Sequence, residues 1–284
     1  MENIVVSMFA ETFIHPGSGQ NDGVIDQPVA RERVTGYPFI AGSSLKGAWL
    51  DYAKQNDTDE NERKQLFGNK DCAGQLLISD ARLLLLPVRS LSRSYCWLTC
   101  PLILERLARD LARAFGEKNS LPDIQVENEK FLGLSEAENF IFLEERNFQR
   151  AGIVPVDVLE VLQKFIPHEK SRARLAAQLV VVSDGDFQWF AENGLSILAR
   201  NSLDNDKQSK NLWYEETLPP DSLMTSIVAQ RDSSNNSMKV FKEMLLKKNY
   251  LQVGGNETIG QGWFQLGIYP DDSETTAKEG GDNG

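Results

Sequence analysis

Residues 75–90 read QLLISDARLLLLPVRS, a nearly unbroken apolar run with turn-forming residues on both sides. A strand with one wet face alternates apolar and polar side chains. This run does not alternate, so it reads as a strand covered on both faces. Asp80 and Arg82 fall on one side of it by the two-residue repeat, which reads as a buried ion pair that sets register. Such a strand needs other elements laid against it, and the periodicities supply them. Residues 4–13 are rich in β-branched and aromatic side chains and read as a first strand. Leu45, Ala48, Trp49, Tyr52 and Ala53 share one face of a helix capped by Ser43 or Ser44. Pro101 opens a second helix whose inner stripe is Leu104, Leu107, Ala108, Leu111, Ala112 and Phe115. Glu105 with Arg109, and Arg106 with Asp110, pair on its outer face.

Further short strands are expected at 124–126, 140–143, 178–183, 195–200 and 223–230, and helices at 156–166, 187–192 and 239–246. Residues 56–71, 168–174 and 201–221 read as polar loops, the last with Trp213 and Tyr214 exposed among acids and open to stacking on bases. The order fits an α+β, ferredoxin-like (RRM-like) antiparallel sheet core with insertions, also the framework of a common RNA-recognition sheet. Residues 1–270 read as a single domain and 271–284 as an acidic, disordered tail.

Charge bounds the partners. A net charge of −11 argues against a generic nucleic-acid binder. The charge is uneven, however: six arginines between Arg82 and Arg113 face only Glu105 and Asp110, which leaves room for a local positive patch. Three cysteines without framework spacing fit a reducing cytoplasm, and no apolar run reaches the roughly 18 residues of a membrane span. The amino-terminal residues lack the basic region of a signal peptide. With only His15 and His168 present, a multi-histidine metal centre is excluded.

Residues 15–47, HPGSGQNDGVIDQPVARERVTGYPFIAGSSLKG, hold the chemistry. A long glycine-rich loop in a compact domain is usually functional. Asp26 sits in it as an isolated acid, with Arg31 and Arg33 close by. Such a carboxylate can act as a general base or hold a divalent ion such as Mg²⁺, and the arginines can neutralise a phosphate. The alternative for Asp26 is a turn-forming residue before Pro28. Lys46 in the first turn of the expected helix opposes the helix dipole unless an anion sits there. A second glycine cluster, VGGNETIGQGWF, can offer backbone N–H groups to a phosphate.

Three blocks, HPGSGQNDGVIDQPVARE, GSSLKG with LISDARLLLLPVRSLS, and GGNETIGQGW, together resemble the RAMP superfamily of CRISPR proteins. Within it the chain looks most like the repeated backbone subunit of the type III-B (Cmr) effector. VVVSD and LWYEETLPPD look like the same family. The resemblance implies copies stacked as a filament along a CRISPR guide RNA, together with the other Cmr subunits. It implies a thumb-like projection that interrupts guide–target pairing, and one cut of the target RNA beside each interruption. That cleavage would use a divalent metal, Mg²⁺ or Mn²⁺. Asp26 matches the aspartate of the family's G-x-x-D-x-P loop and is carried over as catalytic and metal-binding, with His15, Glu215 and Glu216 as helpers. Ser43, Ser44 and Lys46 match the helix start that meets the guide backbone, and Gly254 and Gly255 match the glycine-rich loop. Where the family often has Lys-Thr before the LWYEE block, this chain has Lys207-Gln-Ser-Lys210.

Overall fold

The computed structural model describes residues 2–19, 23–116, 121–135 and 138–269, so the expected acidic tail lies outside the described residues. The chain opens with β1 (Asn3–Ala10), buried along nearly its whole length. The glycine-rich segment leads to a short β2 (Phe39–Ile40) and then α1 (Gly42–Gln55). Leu45, Trp49, Tyr52 and Ala53 bury the inner face of α1, as their spacing requires. A second helix, α2 (Glu60–Phe67), replaces the expected loop. Asp59 caps it, accepting from the Asn61 and Glu62 N–H groups, and Leu66 and Phe67 anchor its end. The polarity of that stretch hid a short exposed helix of about two turns with an apolar heel.

The apolar run is two strands, β3 (Leu76–Ile78) and β4 (Ala81–Arg89). The break at Ser79 and Asp80 has a polar cause. The Ser79 hydroxyl accepts from the Ile227 N–H at 2.8 Å, and Asp80 Oδ1 accepts from the Gly42 N–H at 2.6 Å. Asp80 therefore serves the start of α1 and does not pair with Arg82. Arg82 bonds Asp110 on α3 instead. Strand β5 (Tyr95–Thr99) runs into α3 (Pro101–Phe115), with Pro101 in the first turn as expected. Then come β6 (Lys130–Gly133), β7 (Phe140–Leu143), β8 (Arg146–Ile153), α4 (Val156–Gln163) and α5 (Glu169–Gln178). Helix α5 takes the place of the basic loop expected at 168–174, while the strand expected at 124–126 pairs with nothing. The remaining elements are β9 (Leu179–Val182), α6 (Asp184–Asn193), β10 (Ser196–Leu203), β11 (Ser209–Thr217), β12 (Leu223–Gln230), α7 (Ser237–Lys247), β13 (Tyr250–Gln252) and β14 (Trp263–Tyr269).

Among the described residues twelve strands form one sheet. Its order is β13-β14-β1-β12-β4-β5-β9-β6-β8-β7, with β2 on β4 and β3 on β12. Most neighbours are antiparallel, as expected, but β5 with β9 and β6 with β8 run parallel. The fold class is α+β. Strand β10 bears out the strand expected at 195–200, and β11, in the stretch expected to be a polar connection, pairs with it as a separate hairpin. Its outer face exposes Ile197, Leu203, Leu212 and Tyr214. At the hairpin's base, Glu215, Glu216 and Thr217 are buried. Behind β12, Trp49 and Phe241 meet edge to face with ring centroids 5.1 Å apart, locking α1 to α7.

Candidate functional site

The glycine-rich segment is ordered by what it lies on. Residues 26–29 run beside the base of the hairpin as an extra strand. The Gln27 N–H donates to the Tyr214 carbonyl at 3.1 Å, and the Glu216 N–H donates to the Gln27 carbonyl at 3.0 Å. Further back the segment folds on itself, with the Ala30 N–H donating to the Pro16 carbonyl at 2.7 Å. These bonds satisfy backbone groups that a free loop would leave to water.

The fold then brings the first helix, this segment and the second glycine cluster around one cleft of about 430 Å³. His15, Gly17, Gln27, Ser44, Gly254 and Gly255 line it. His15 is nearly buried, and its Nδ1 lies 2.8 Å from the Glu216 carbonyl oxygen. A carbonyl only accepts, so Nδ1 carries a proton, and in the neutral ring Nε2 is left with its lone pair. A Cβ at Gly17 would meet Nε2 at 2.8 Å, and one at Gly254 would meet the His15 carbonyl oxygen at 2.6 Å. Glycine is required at both places by close approach to this histidine. The Gly255 N–H donates to the same carbonyl at 3.1 Å. Gly255 therefore clamps the loop to His15 and does not offer that N–H to a ligand.

Asp26 is half-buried beside the cleft, next to the lining residue Gln27. Its Oδ2 accepts from the Tyr214 N–H at 2.8 Å. One carboxylate oxygen thus extends the strand pairing and holds the side chain in place. Oδ1 carries no hydrogen bond among the described residues.

The two glutamates serve the scaffold. Glu216 accepts from Arg31 Nη2 at 2.6 Å and from the Val29 N–H at 3.0 Å. Arg31 also donates to the carbonyls of Gly36 and Ala191, so its guanidinium is engaged inside the protein. Glu215 accepts from Trp213 Nε1 and from Asn256 Nδ2, each at 2.6 Å. Trp213 is held inward by that bond, while Tyr214 stays 43% exposed. Asn256, in a left-handed backbone conformation at φ 67°, ties the second glycine cluster to the hairpin base. No residue pattern singled it out, because its partner comes from a strand that read as a loop.

Of the remaining expected residues, Ser44 lines this cleft and Arg33, Ser43 and Lys46 do not. Arg33 is exposed. Ser43 and Ser44 lie inside the first turn of α1, and the position before the helix is Ala41, with no side-chain cap. Asp80 supplies the missing acceptor. Lys46 follows Ser44 by two positions and so points to the other side of the helix, into a second cleft. The expected arginine patch is mostly consumed by ion pairs: Arg82 with Asp110, Arg89 with Glu144, Arg93 with Glu138, Arg106 with Glu32 and Arg109 with Glu105. The Arg106–Asp110 pair expected on α3 is replaced by these longer-range partners.

Among the described residues no group of three or more histidine, cysteine, aspartate or glutamate side chains could hold a metal ion. Asp26 stands as a single donor, with Glu215 and Glu216 buried and engaged. That donor set does not make a protein cage. It fits only an ion that arrives with phosphate oxygens and keeps its waters, the habit of Mg²⁺.

The comparison with known proteins decides the family. The family model described as the RAMP superfamily matches residues 10–265. The chain belongs to the RAMP superfamily. This RAMP protein is 34% identical over 284 residues to the CRISPR system Cmr endoribonuclease Cmr4 of Pyrococcus furiosus, a match covering 94% of this chain and 95% of that one. It is 25% identical over 299 residues to the CRISPR system CMR subunit Cmr4 of Saccharolobus solfataricus, covering 90% and 93%. The crystal structure of oligomeric Cmr4 from Pyrococcus furiosus superposes on this RAMP protein with a TM-score of 0.77 at 29% identity, over 94% of this chain and 98% of that one. A chain of the type III-B Cmr-beta complex bound to cognate target RNA shares the fold, with a TM-score of 0.76 at 21% identity over 94% and 97%. Among the described residues no helix is long and apolar enough to cross a membrane.

Proposed function

We propose that this RAMP protein is the repeated backbone subunit of a cytoplasmic type III-B CRISPR effector. It binds guide RNA, stacks with copies of itself and with the other Cmr subunits, and cuts complementary target RNA at regular intervals. The observation that carries the catalytic reading is the convergence of His15, Ser44, Gly254 and Gly255 on one cleft, with Asp26 one residue from its lining. The 34% identity to a Cmr endoribonuclease supports the reaction class. The core is read as ferredoxin-like on the strand order β14-β1-β12-β4, with α1 after β1 and α7 after β12. Hairpin β10–β11, which lies outside the twelve-stranded sheet, is read as the thumb.

RNA carries its own nucleophile, the 2′-hydroxyl beside each phosphate. Cleavage needs the nucleotide held in line, a proton taken from that hydroxyl, and a proton given to the departing 5′-oxygen. Asp26, through the oxygen not bonded to Tyr214, takes the first proton. His15 Nε2, when protonated, faces the cleft as donor of the second. Holding the geometry is worth about 7–11 kcal/mol, and each proton transfer about 10²–10⁴-fold. The Tyr214 and Glu216 backbones set the two groups in place, and Arg31 holds the Glu216 side chain fixed. A divalent ion, Mg²⁺ or Mn²⁺, held through Asp26 would supply charge neutralisation at the phosphate. Ser43 and Ser44 on one side of α1 and Lys46 on the other meet the guide backbone, the exposed Arg33 offers a further cation, and Gly254 with Gly255 walls the first cleft.

A second reading, a guide-binding scaffold that cuts nothing, is favoured by the bond from Tyr214 to Asp26, which gives the acid a structural task. The test assembles the full chain on guide RNA, adds labelled complementary target, and runs the reaction with and without EDTA. Evenly spaced products that vanish with EDTA support the metal-assisted nuclease. Guide retention with intact target supports the scaffold.

A further inference from the structure

His15 is held at two points by two different elements. The Glu216 carbonyl of β11 accepts from Nδ1 of its ring, and its own main-chain carbonyl accepts from the Gly255 N–H of the second glycine cluster. The ring keeps its aim into the cleft only while those two elements keep their spacing. Asn256 spans them. Its Nδ2 donates at 2.6 Å to Oε2 of Glu215, the residue before Glu216 on β11, and Asn256 itself directly follows Gly255. The contacts close a circuit that runs from the His15 ring through Glu216, Glu215, Asn256 and Gly255 to the His15 main chain.

Both ends of the Asn256–Glu215 bond are anchored. Glu215 is 2% exposed, and its Oε1 accepts from Trp213 Nε1 at 2.6 Å. Arg200, on the facing strand of the hairpin, lies 3.8 Å from Oε2. At the other end the Asn256 amide also donates to Gln261 Oε1 at 2.9 Å, and the Asn256 carbonyl accepts from the Ile259 and Gln261 N–H groups. The second glycine cluster is folded around this one residue. Strand β11 also holds Asp26, through the N–H of Tyr214 next to Glu215. A shift of β11 against the glycine cluster therefore moves both groups assigned to the reaction. The residue type follows from two demands. The backbone at 256 is left-handed, with φ 67°, which glycine, asparagine and aspartate accept most readily. Of the three, asparagine alone brings the side-chain donor that a buried Glu215 oxygen needs.

We propose that Asn256 is a positioning residue for target cleavage, which acts through Glu215 to hold the His15 imidazole and Asp26 in register across the cleft. The proposal rests on the nuclease reading above and gives a task to a residue that the resemblance leaves without one. Asn256 touches no reacting atom and moves no proton.

The test uses complex assembled on guide RNA, with single-turnover cutting of labelled target over a concentration series, so that target affinity and the rate of the cutting step are read separately. Asn256→Asp keeps the backbone and the shape of the side chain but sets an acceptor against Glu215. It should slow the cutting step by about 10-fold or more, within the about 10²-fold that a misplacement of about 1 Å costs, at unchanged target affinity and guide content. Asn256→Gly, which keeps the left-handed backbone and deletes the amide without adding an acid, should slow the step likewise. Asn256→Asp/Glu215→Gln reverses the polarity of the bond: glutamine keeps an oxygen for Trp213 and turns its amide nitrogen to the new acceptor, one acid stays near Arg200, and the Gln261 amide can turn over to donate. The double variant should recover the rate to within about threefold, a coupling that independent effects would not give. Undiminished cutting by both single variants overturns the proposal. Lost target affinity at an unchanged cutting rate overturns it too, and assigns Asn256 to an RNA contact. A double variant that regains the melting temperature but not the rate overturns the path through Glu215. Target left whole by the unaltered complex overturns the nuclease reading itself.

Discussion

At the scale of single residues, the site is built by close approach more than by charge. His15 is held by a carbonyl on one ring nitrogen and walled by glycines on the other side. His15→Ala should therefore slow target cleavage by about 10²-fold, the lower bound for a lost proton transfer, while leaving guide retention unchanged. A single-turnover assay on assembled complex checks this, and a rate within a factor of two of the original would remove His15 from the chemistry. Arg31 tells a different story. Its guanidinium joins Glu216 and two carbonyls, and Glu216 is only 4% exposed. Arg31→Ala strands a buried carboxylate and should lower stability by about 3 kcal/mol in denaturant unfolding. A shift below about 0.5 kcal/mol, the size of an ordinary surface change, would contradict that role. Arg31 was legible in the sequence as a cation near Asp26. Its engagement could not be read there, because its partner sits 185 positions away.

At the scale of elements, long amphipathic helices and the apolar run were readable, and short or polar ones were not. The stripes of α1 and α3 turned inward as spaced, because burial at helical period leaves a strong signal. The α2 helix escaped because only Leu66 and Phe67 are apolar in eight residues. The first strand of hairpin β10–β11 was readable at 195–200, but β11 escaped because its first four residues, Ser209 to Leu212, are polar or exposed. Ser43 and Ser44 looked like caps, yet the acceptor came from Asp80 across the fold. Asp80→Ala should therefore cost about 1 kcal/mol, as loss of a helix cap does, whereas Ser43→Ala and Ser44→Ala should be near neutral in thermal melts. Equal losses at all three positions would refute the assignment.

At the scale of the whole molecule, the acidic chain engages five of the six arginines between Arg82 and Arg113 in ion pairs among the described residues. The mixed helix-and-strand architecture and its mostly antiparallel sheet were accessible from the alternation of strands and helices. The parallel pairs beyond β5 were not, since they depend on long crossovers. The same packing fixes the thiols. Cys72 is exposed, while Cys96 and Cys100 are buried, and burial pushes the Cys100 thiol up to about 12. Alkylation of the folded protein at neutral pH should modify Cys72 alone, read as a single mass increment. Two or three increments before unfolding would contradict this core.

The central claim is that Asp26 performs chemistry beyond its hydrogen bond to Tyr214. The direct measurement compares Asp26→Asn with the unaltered chain, both assembled on guide RNA, in target cleavage. Asparagine keeps an oxygen to accept from the Tyr214 N–H and removes the charge. The account predicts equal guide content and a cleavage rate at least about 10²-fold lower, the least expected for loss of the general base. Undiminished, evenly spaced cutting by the variant complex would contradict it.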